Sequence, residues 1–304
     1  MDAKRFPAGA CCALLMLAPE GPSGTLRASD DEAAGQTRSA IIRCDDIGMC
    51  HTVNMAVKEV LDAGLPISTS VMFACPWYQE AVDILKHYKN VSVGIHLTLN
   101  SEWQKYRWGP VAGRSAVPTL VDSDGYFYPT RDMLFANPPN PTEVERELRA
   151  QIGRAMRSGL RIDYVDYHMG TAVSTPELRA LVERLAKEYR LGISRYMGET
   201  LVEDWYDVPP ESKRDTLLSC AGGMVEGELG LFVFHIGLQS PEMDALTDYN
   251  PLGVKEVSRN RQAELRALTS PEFRAVLAKH SIVLKTYAEV IQEVGLDRMR
   301  APAH

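Results

Sequence analysis

Residues 92–99 read SVGIHLTL, and their alternation predicts a β-strand. Side chains of an extended strand alternate between two faces, so Val93 and Ile95 share one face and Gly94 and His96 share the other. The position of His96 opposite the apolar face argues against simple core packing. A hydrogen-bonded core histidine is the plain alternative.

Similar short runs occur on both sides of this strand, with helical patterns between them. A helix after each strand lets the next strand run parallel to it. We therefore predict an α/β fold: a distorted (β/α) barrel of about seven parallel strands, similar to a TIM barrel. A capping box over residues 142–145 (TEVE) would begin one helix, and Thr175-Pro176 would begin another, with proline at its first position. Residues 198–229 are treated as irregular. The predicted strands cover residues 41–45, 68–74, 92–99, 162–167, 192–196, 232–236 and 282–286.

Net charge and the lack of certain motifs argue against several classes of protein. The chain has 304 residues and a net charge of -7, which disfavours nucleic acid or anionic lipid as the main partner. Outside the leader, four cysteines form no CxxC pair, which argues against a zinc knuckle. No GxGxxG or P-loop follows the first predicted strand, which weakens a dinucleotide-binding fold.

The first 39 residues differ from the rest. Lys4 and Arg5 precede an apolar run over residues 8–18, and a Gly/Pro/Ser-rich acidic stretch follows. This pattern is typical of a signal peptide with a linker, and the run is too short to span a bilayer. We expect residues 1–39 to be a leader and residues 40–304 to form one domain. Export to the periplasm or medium is favoured over a cytoplasmic location.

Acidic and histidine residues end several predicted strands. Asp45 and Asp46 end the first strand, and His96, His168 and His235 stand at or near the ends of later ones. In a parallel barrel these ends open at one mouth, where active sites lie. Each residue also has a structural interpretation: the aspartates could cap the next helix, and His235 could be a core histidine.

The residue types suit a metal centre. Imidazole nitrogens with one carboxylate bind Zn²⁺ or a similar divalent ion and leave positions for water and substrate. Adjacent carboxylates on a strand point to opposite sides, so Asp45 and Asp46 need not share a role. One can bind the ion while the other accepts a proton from the attacking water.

Four stretches resemble the YdjC-like carbohydrate deacetylases. Residues 43–48 (RCDDIG), with Val53-Asn54 downstream, are similar to the opening motif of that family. Residues 93–99 (VGIHLTL), residues 163–168 (DYVDYH) and Phe234-His235 are similar to its later motifs, and they occur in the same order. Further along, Arg261, Glu264-Leu265 and the last predicted strand resemble the C-terminal part of the family, so the resemblance covers about residues 40–294.

The resemblance implies a barrel enzyme that removes acetyl groups from N-acetylated amino sugars or oligosaccharides. Asp46, His96 and His168 would hold one divalent ion, Mg²⁺ or Zn²⁺. Asp45 would be the general base, and His235 would protonate the leaving amine. A carbohydrate substrate is the expected partner, without nucleic acid or a membrane span. The pattern identifies no substrate-binding residue and leaves open whether the chain forms a homodimer.

Two rival functions stay open, and a departure from the family at Gly170 favours the second of them. Gly170 stands where the family has a second histidine, and Ile47 stands where phenylalanine is common. One rival is another barrel metallohydrolase, such as a phosphoesterase or amidase, although such sites often use two ions and an HxH pair. The other is a non-catalytic sugar-binding relative. We also expect the aromatic segment 100–141 to stack on sugar rings.

Overall fold

The computed structural model describes residues 37–202, 207–250 and 253–302. The predicted leader lies outside these ranges except for residues 37–39. Within the described ranges, no helix has the length and apolar character needed to cross a membrane.

The described residues contain eight strands that pair in parallel and form a curled half-barrel, which confirms the predicted fold class. Seven of them follow one another in the order β5-β4-β3-β2-β1-β7-β6, and β8 pairs with β1 beside this path. The strands are β1 (Arg38–Ile47), β2 (Ile67–Val71), β3 (Val91–Leu97), β4 (Tyr164–Tyr167), β5 (Gly192–Ile193), β6 (Thr200–Val202), β7 (Leu229–Phe234) and β8 (Ile282–Lys285).

Strand β1 is the centre of the sheet. Strand β7 pairs along one edge of β1. Two strands share the other edge: β8 pairs with residues 38–41, and β2 pairs with residues 43–47. Helices cover parallel sheets on both faces, so central strands are apolar and buried. Among the described residues no pairing joins β5 to β6, so hydrogen bonds do not close the barrel.

The helices bury one apolar side against the sheet. In α1 the buried positions include Val53, Val57 and Val60, which recur at helical spacing. The sequence prediction of Thr175 before Pro176 as the start of α5 is confirmed, because the Thr175 side chain accepts a hydrogen bond from the Leu178 backbone. The helices are α1 (His51–Asp62), α2 (Tyr78–Leu85), α3 (Arg131–Ala136), α4 (Pro141–Met156), α5 (Pro176–Tyr189), α6 (Lys213–Gly222), α7 (Pro241–Asp244), α8 (Val257–Thr269), α9 (Pro271–Lys279) and α10 (Tyr287–Val294).

Two local predictions were wrong. Helix α4 begins earlier than the predicted capping box, because the Asn140 side chain accepts from the Thr142 backbone and Pro141 fits the first helical position. The region treated as irregular, residues 198–229, contains β6 and α6. Strand β6 has only three residues and α6 lacks a one-sided apolar pattern, so neither produces a clear periodic signal.

Gly94 allows a tyrosine to fill the inside of the sheet beneath the strand ends. The ring of Tyr164 lies so close that a Cβ on Gly94 would stand 2.3 Å from its Cζ atom. Tyr164 is fully buried, bonds Ser70 Oγ at 2.9 Å and packs on the Tyr287 ring at 4.3 Å between centroids. This layer closes the floor below His96, which lies two residues further along β3.

Candidate active site

The five residues chosen from the sequence line one pocket of about 600 Å³ at the carboxyl ends of the strands. Asp45 and Asp46 lie at the end of β1, His96 lies near the end of β3, and His168 and His235 directly follow β4 and β7. Parallel strands place all of these ends at the same edge of the sheet.

Three of the side chains converge as a ligand set. Asp46 Oδ1 lies 3.5 Å from His96 Nε2 and 3.3 Å from His168 Nδ1, and the two nitrogens lie 3.3 Å apart. All three residues are buried, and Asp46 Oδ1 accepts no hydrogen bond of good geometry from the described residues. A buried polar atom without such a bond calls for an explanation, and a cation between these atoms supplies one.

Outer partners hold each member of this set. His96 Nδ1 lies 2.9 Å from Asp166 Oδ1, and His168 Nε2 lies 2.9 Å from Glu102 Oε2. A carboxylate on the far nitrogen fixes the tautomer and orientation of an imidazole, as in metal sites. On the aspartate, Arg261 Nη2 donates to Asp46 Oδ2 at 2.6 Å and leaves Oδ1 for the centre.

The electrostatics of the cluster favour added positive charge. Burial raises the pKa of Asp46, but the Arg261 guanidinium and both imidazoles outweigh it and hold that pKa well below its ordinary value. Burial lowers the pKa of His168, yet the Glu102 and Asp46 carboxylates raise it to about 9. Asp166 and Asp45 likewise raise the pKa of His96. A divalent cation would replace the protons that these imidazoles otherwise attract.

Asp45 has a separate set of partners. Arg43 donates to both of its oxygens, each at 2.7 Å, and this charge outweighs burial and keeps the pKa of Asp45 low. Ser194 Oγ accepts from Arg43 Nη1 at 2.6 Å and fixes the guanidinium. Asp45 is therefore ionised and held in a fixed orientation.

His235 lies across from Asp45 with Nε2 at 4.0 Å from Asp45 Oδ2. Burial lowers the pKa of His235 by more than the Asp46 and Asp45 carboxylates raise it. The resting imidazole is therefore neutral near pH 7 and must receive a proton before it can donate one. Its backbone N–H donates to Glu264 Oε2 at 2.6 Å, and Lys213 Nζ donates to the other Glu264 oxygen at 3.1 Å.

A break in β1 lets both aspartates face the pocket. The pairing register between β1 and β2 shifts between Cys44 and Ile47, and Asp46 has the left-handed φ of 64°. Regular alternation would send adjacent side chains to opposite faces. The turn that follows is held by Asn54, whose Oδ1 accepts from the Gly48 backbone at 2.7 Å. This bond gives the Val53-Asn54 motif its structural role.

Gly170 also lines the pocket. Its φ of 70° lies in the left-handed region that favours glycine, and Met169 before it lies in the same region with a φ of 50°. A Cβ on Gly170 would meet only the Arg131 Nη1 atom, at 3.9 Å. The backbone therefore explains the glycine better than crowding does.

Three aromatic rings of segment 100–141 are buried, while Tyr126 is exposed, and the expected sugar-stacking role stays a prediction. Trp103, Trp108 and Phe127 are at most 4% exposed and belong to the main core. Trp103 still borders the pocket, and the Trp108 ring packs edge-on to His168 at 6.0 Å. These rings mainly support the site because they pack inward.

Sequence reasoning missed two partners and only partly found a third. Glu102 follows β3 in the long loop, and no local pattern distinguishes it from a surface acid. Asp166 precedes His168 by two residues, so alternation along β4 could have indicated a shared face. Arg261 matched the resemblance, but its contact with Asp46 spans 215 residues of sequence.

The chain is similar in sequence to a known family and to named proteins. The family model described as YdjC-like protein matches residues 39–279. The chain is similar to a carbohydrate deacetylase of Thermus thermophilus, with 30% identity over 84% of this chain and 96% of that protein. Another carbohydrate deacetylase, of Brevibacillus brevis, is 27% identical over 82% of this chain and 98% of its own length.

Solved structures resemble the chain in fold. A crystal structure from Enterococcus faecalis V583, provisionally described as a cellobiose-phosphate cleavage protein, has a TM-score of 0.69 and 24% identity, covering 84% of this chain and 99% of that one. The T48 deacetylase with substrate has a TM-score of 0.50 at 11% identity, covering 88% of this chain and 97% of that one.

Proposed function

Because the chain belongs to the YdjC-like family, we propose that it is a metal-dependent carbohydrate deacetylase that hydrolyses the amide of N-acetylated amino sugars or oligosaccharides. The observation that carries this proposal is the convergence of Asp46, His96 and His168, with ligand atoms that all lie within 4.8 Å of one another. Similarity to proteins named carbohydrate deacetylase supports the substrate class.

The donor set suits one divalent ion. Two imidazole nitrogens and one carboxylate oxygen match the ligands of catalytic Zn²⁺ sites, and Mg²⁺ is the second candidate. When bound, such an ion polarises an acyl oxygen and lowers the pKa of water. Glu102, Asp166 and Arg261 orient the three ligands, so the set needs little rearrangement to bind it.

Asp45 and His235 handle the proton in this mechanism. Ionised Asp45 accepts a proton from the water that attacks the acetyl carbon. Neutral His235, 4.0 Å away, receives that proton and delivers it to the nitrogen as the carbon–nitrogen bond breaks. The products are acetate and the protonated amine. The water supplies the hydroxyl of the new carboxyl group and the proton that reaches the nitrogen, and the amine takes up the proton that the carboxyl group then loses.

Acetate release tests the proposal. Purified protein is treated with chelator, reloaded with Zn²⁺, Mg²⁺, Mn²⁺ or Co²⁺, and incubated with N-acetylated chito-oligosaccharides and a panel of acetylated sugars. We expect acetate release that disappears with chelator and returns with one of the ions. Sugar binding without acetate release from any substrate would favour the non-catalytic alternative, and hydrolysis of phosphate esters with two ions per chain would favour the phosphoesterase.

The roles of the two aspartates are tested separately. Asp45→Asn should abolish most turnover and keep the ion, whereas Asp46→Asn should weaken ion binding. Isothermal titration with Zn²⁺ separates the two. If Asp45→Asn lost the ion and Asp46→Asn kept it, the roles would be reversed.

A further inference from the structure

A second group of potential ligands lies beside the proposed metal centre. Asp45, His96 and Asp166 are all buried, and one ligand atom of each lies within 4.8 Å of the others. His96 belongs to both groups, since Nε2 faces Asp46 and Nδ1 faces Asp166. Two carboxylates with an imidazole are typical of a second ion in a two-metal hydrolase.

The guanidinium of Arg43 occupies this second position. Arg43 Nε donates to Asp45 Oδ1 at 2.7 Å and lies 3.1 Å from Asp166 Oδ2 without a well-aligned hydrogen bond to it, so the positive charge lies between the two carboxylates. Asp45 and Asp166 are 3% and 1% exposed, and Arg43 is 9% exposed. Buried carboxylates need a counter-charge, and an arginine supplies one that is never lost by deprotonation.

We propose that Arg43 takes the place of a second cation, limits the centre to one divalent ion, and conceals an oxygen-lined cation site between Asp45 and Asp166. This inference rests on the proposed metal centre. Asp166 Oδ1 remains bonded to His96 Nδ1 at 2.9 Å, so Asp166 Oδ2 and the two oxygens of Asp45 are the atoms that removal of Arg43 would release. Oxygen ligands favour hard ions such as Mn²⁺ or Mg²⁺.

Metal stoichiometry tests the inference. Mn²⁺ is titrated into the full chain, and bound ions are counted by equilibrium dialysis and by electron paramagnetic resonance, which detects coupling between neighbouring Mn²⁺ ions. We expect the natural chain and Arg43→Lys to bind one ion. Arg43→Ala and Arg43→Gln should bind two coupled ions, with the second at least tenfold tighter than any second ion of the natural chain. Asp166→Asn added to Arg43→Ala should restore one ion.

A matched control uses the same pocket. Arg195 also borders it, so Arg195→Ala removes a positive charge from the pocket without uncovering two carboxylates and should still bind one ion. Two ions in the natural chain would refute the inference, as would a single ion in Arg43→Ala with native circular dichroism. Failure of both Arg43→Ala and Arg43→Gln to fold at any Mn²⁺ concentration would also refute it, because a divalent ion would then be unable to replace the guanidinium. A natural chain that binds no ion would instead contradict the proposed metal centre.

Discussion

Replacement of Glu102 tests whether the long loop after β3 controls the metal centre. Glu102 is 3% exposed, and its Oε2 lies 2.9 Å from His168 Nε2, while Nδ1 of the same ring faces Asp46. The carboxylate therefore fixes which nitrogen carries the proton and makes the other a better ligand. In Glu102→Gln an amide oxygen still accepts this hydrogen bond, but the negative charge is gone.

The expected effect follows from the burial of this pair. Loss of an outer partner typically weakens metal affinity about 10- to 100-fold, or about 1.4–2.8 kcal/mol. Because the glutamine keeps a hydrogen-bond acceptor, we expect Glu102→Gln to weaken metal affinity about tenfold and Glu102→Ala to weaken it about a hundredfold. At one fixed, saturating ion concentration, a tenfold loss removes about 1.4 kcal/mol of ligand stabilisation. This corresponds to about 3–6 °C in the melting temperature of a domain of this size.

Two measurements check this prediction. Isothermal titration with Zn²⁺ gives the dissociation constant, and thermal unfolding with and without the ion isolates the ion-dependent stabilisation from any change in the metal-free protein. Glu59→Gln is the control, because Glu59 is an exposed residue of α1 and its substitution removes the same charge. A dissociation constant for Glu102→Ala within twofold of the natural value would refute the view that this carboxylate orients His168.

Three further predictions concern the base, the floor of the pocket and the surface. Asp45→Asn should lower kcat about 100- to 10,000-fold with an unchanged metal dissociation constant, as measured by acetate release and titration. Gly94→Ala would place a Cβ 2.3 Å from a ring atom of Tyr164, and it should lower the free energy of unfolding, measured in urea, by about 1–3 kcal/mol. As a control, Gly153→Ala within α4 should leave that free energy unchanged or raise it by up to about 1 kcal/mol. Two arginine side chains lower the pKa of Glu145 from 4.5 to about 2. Its contribution to the free energy of unfolding is therefore complete above pH 4.5 and declines as the pH falls toward 2. Urea unfolding of the natural chain and of Glu145→Gln across this range should show the difference between their free energies of unfolding becoming smaller at lower pH.

Sequence patterns were sufficient where the determining interactions are local. The alternation around His96 placed it on the inner face of β3, and the Thr175-Pro176 pair located the start of α5. The convergence of the strand-end candidates followed from a general property of parallel sheets, which bring strand ends together, whereas their division into ligands and proton-transfer groups came from the family resemblance. These predictions needed no knowledge of which loops lie over the site.

Features that depend on distant contacts were not predictable. Glu102 looks like any loop acid until the fold brings it to His168, 66 residues later. The register shift at the end of β1 depends on the pairing partner β2, so the alternation rule wrongly separated Asp45 from Asp46. Strand β6 is too short for periodicity, and its place beside β7 is set by the sheet.

The backbone of Asp46 restricts what evolution or mutagenesis can place there. With a φ of 64°, the position accepts glycine, asparagine or aspartate far more easily than longer residues. Of these three, only aspartate carries charge, so no alternative residue satisfies both shape and chemistry. Asp46→Glu, which is usually regarded as conservative, should disturb the pocket more than Asp46→Asn, which gives a shape-matched inert variant suited to trapping a bound sugar for crystallography.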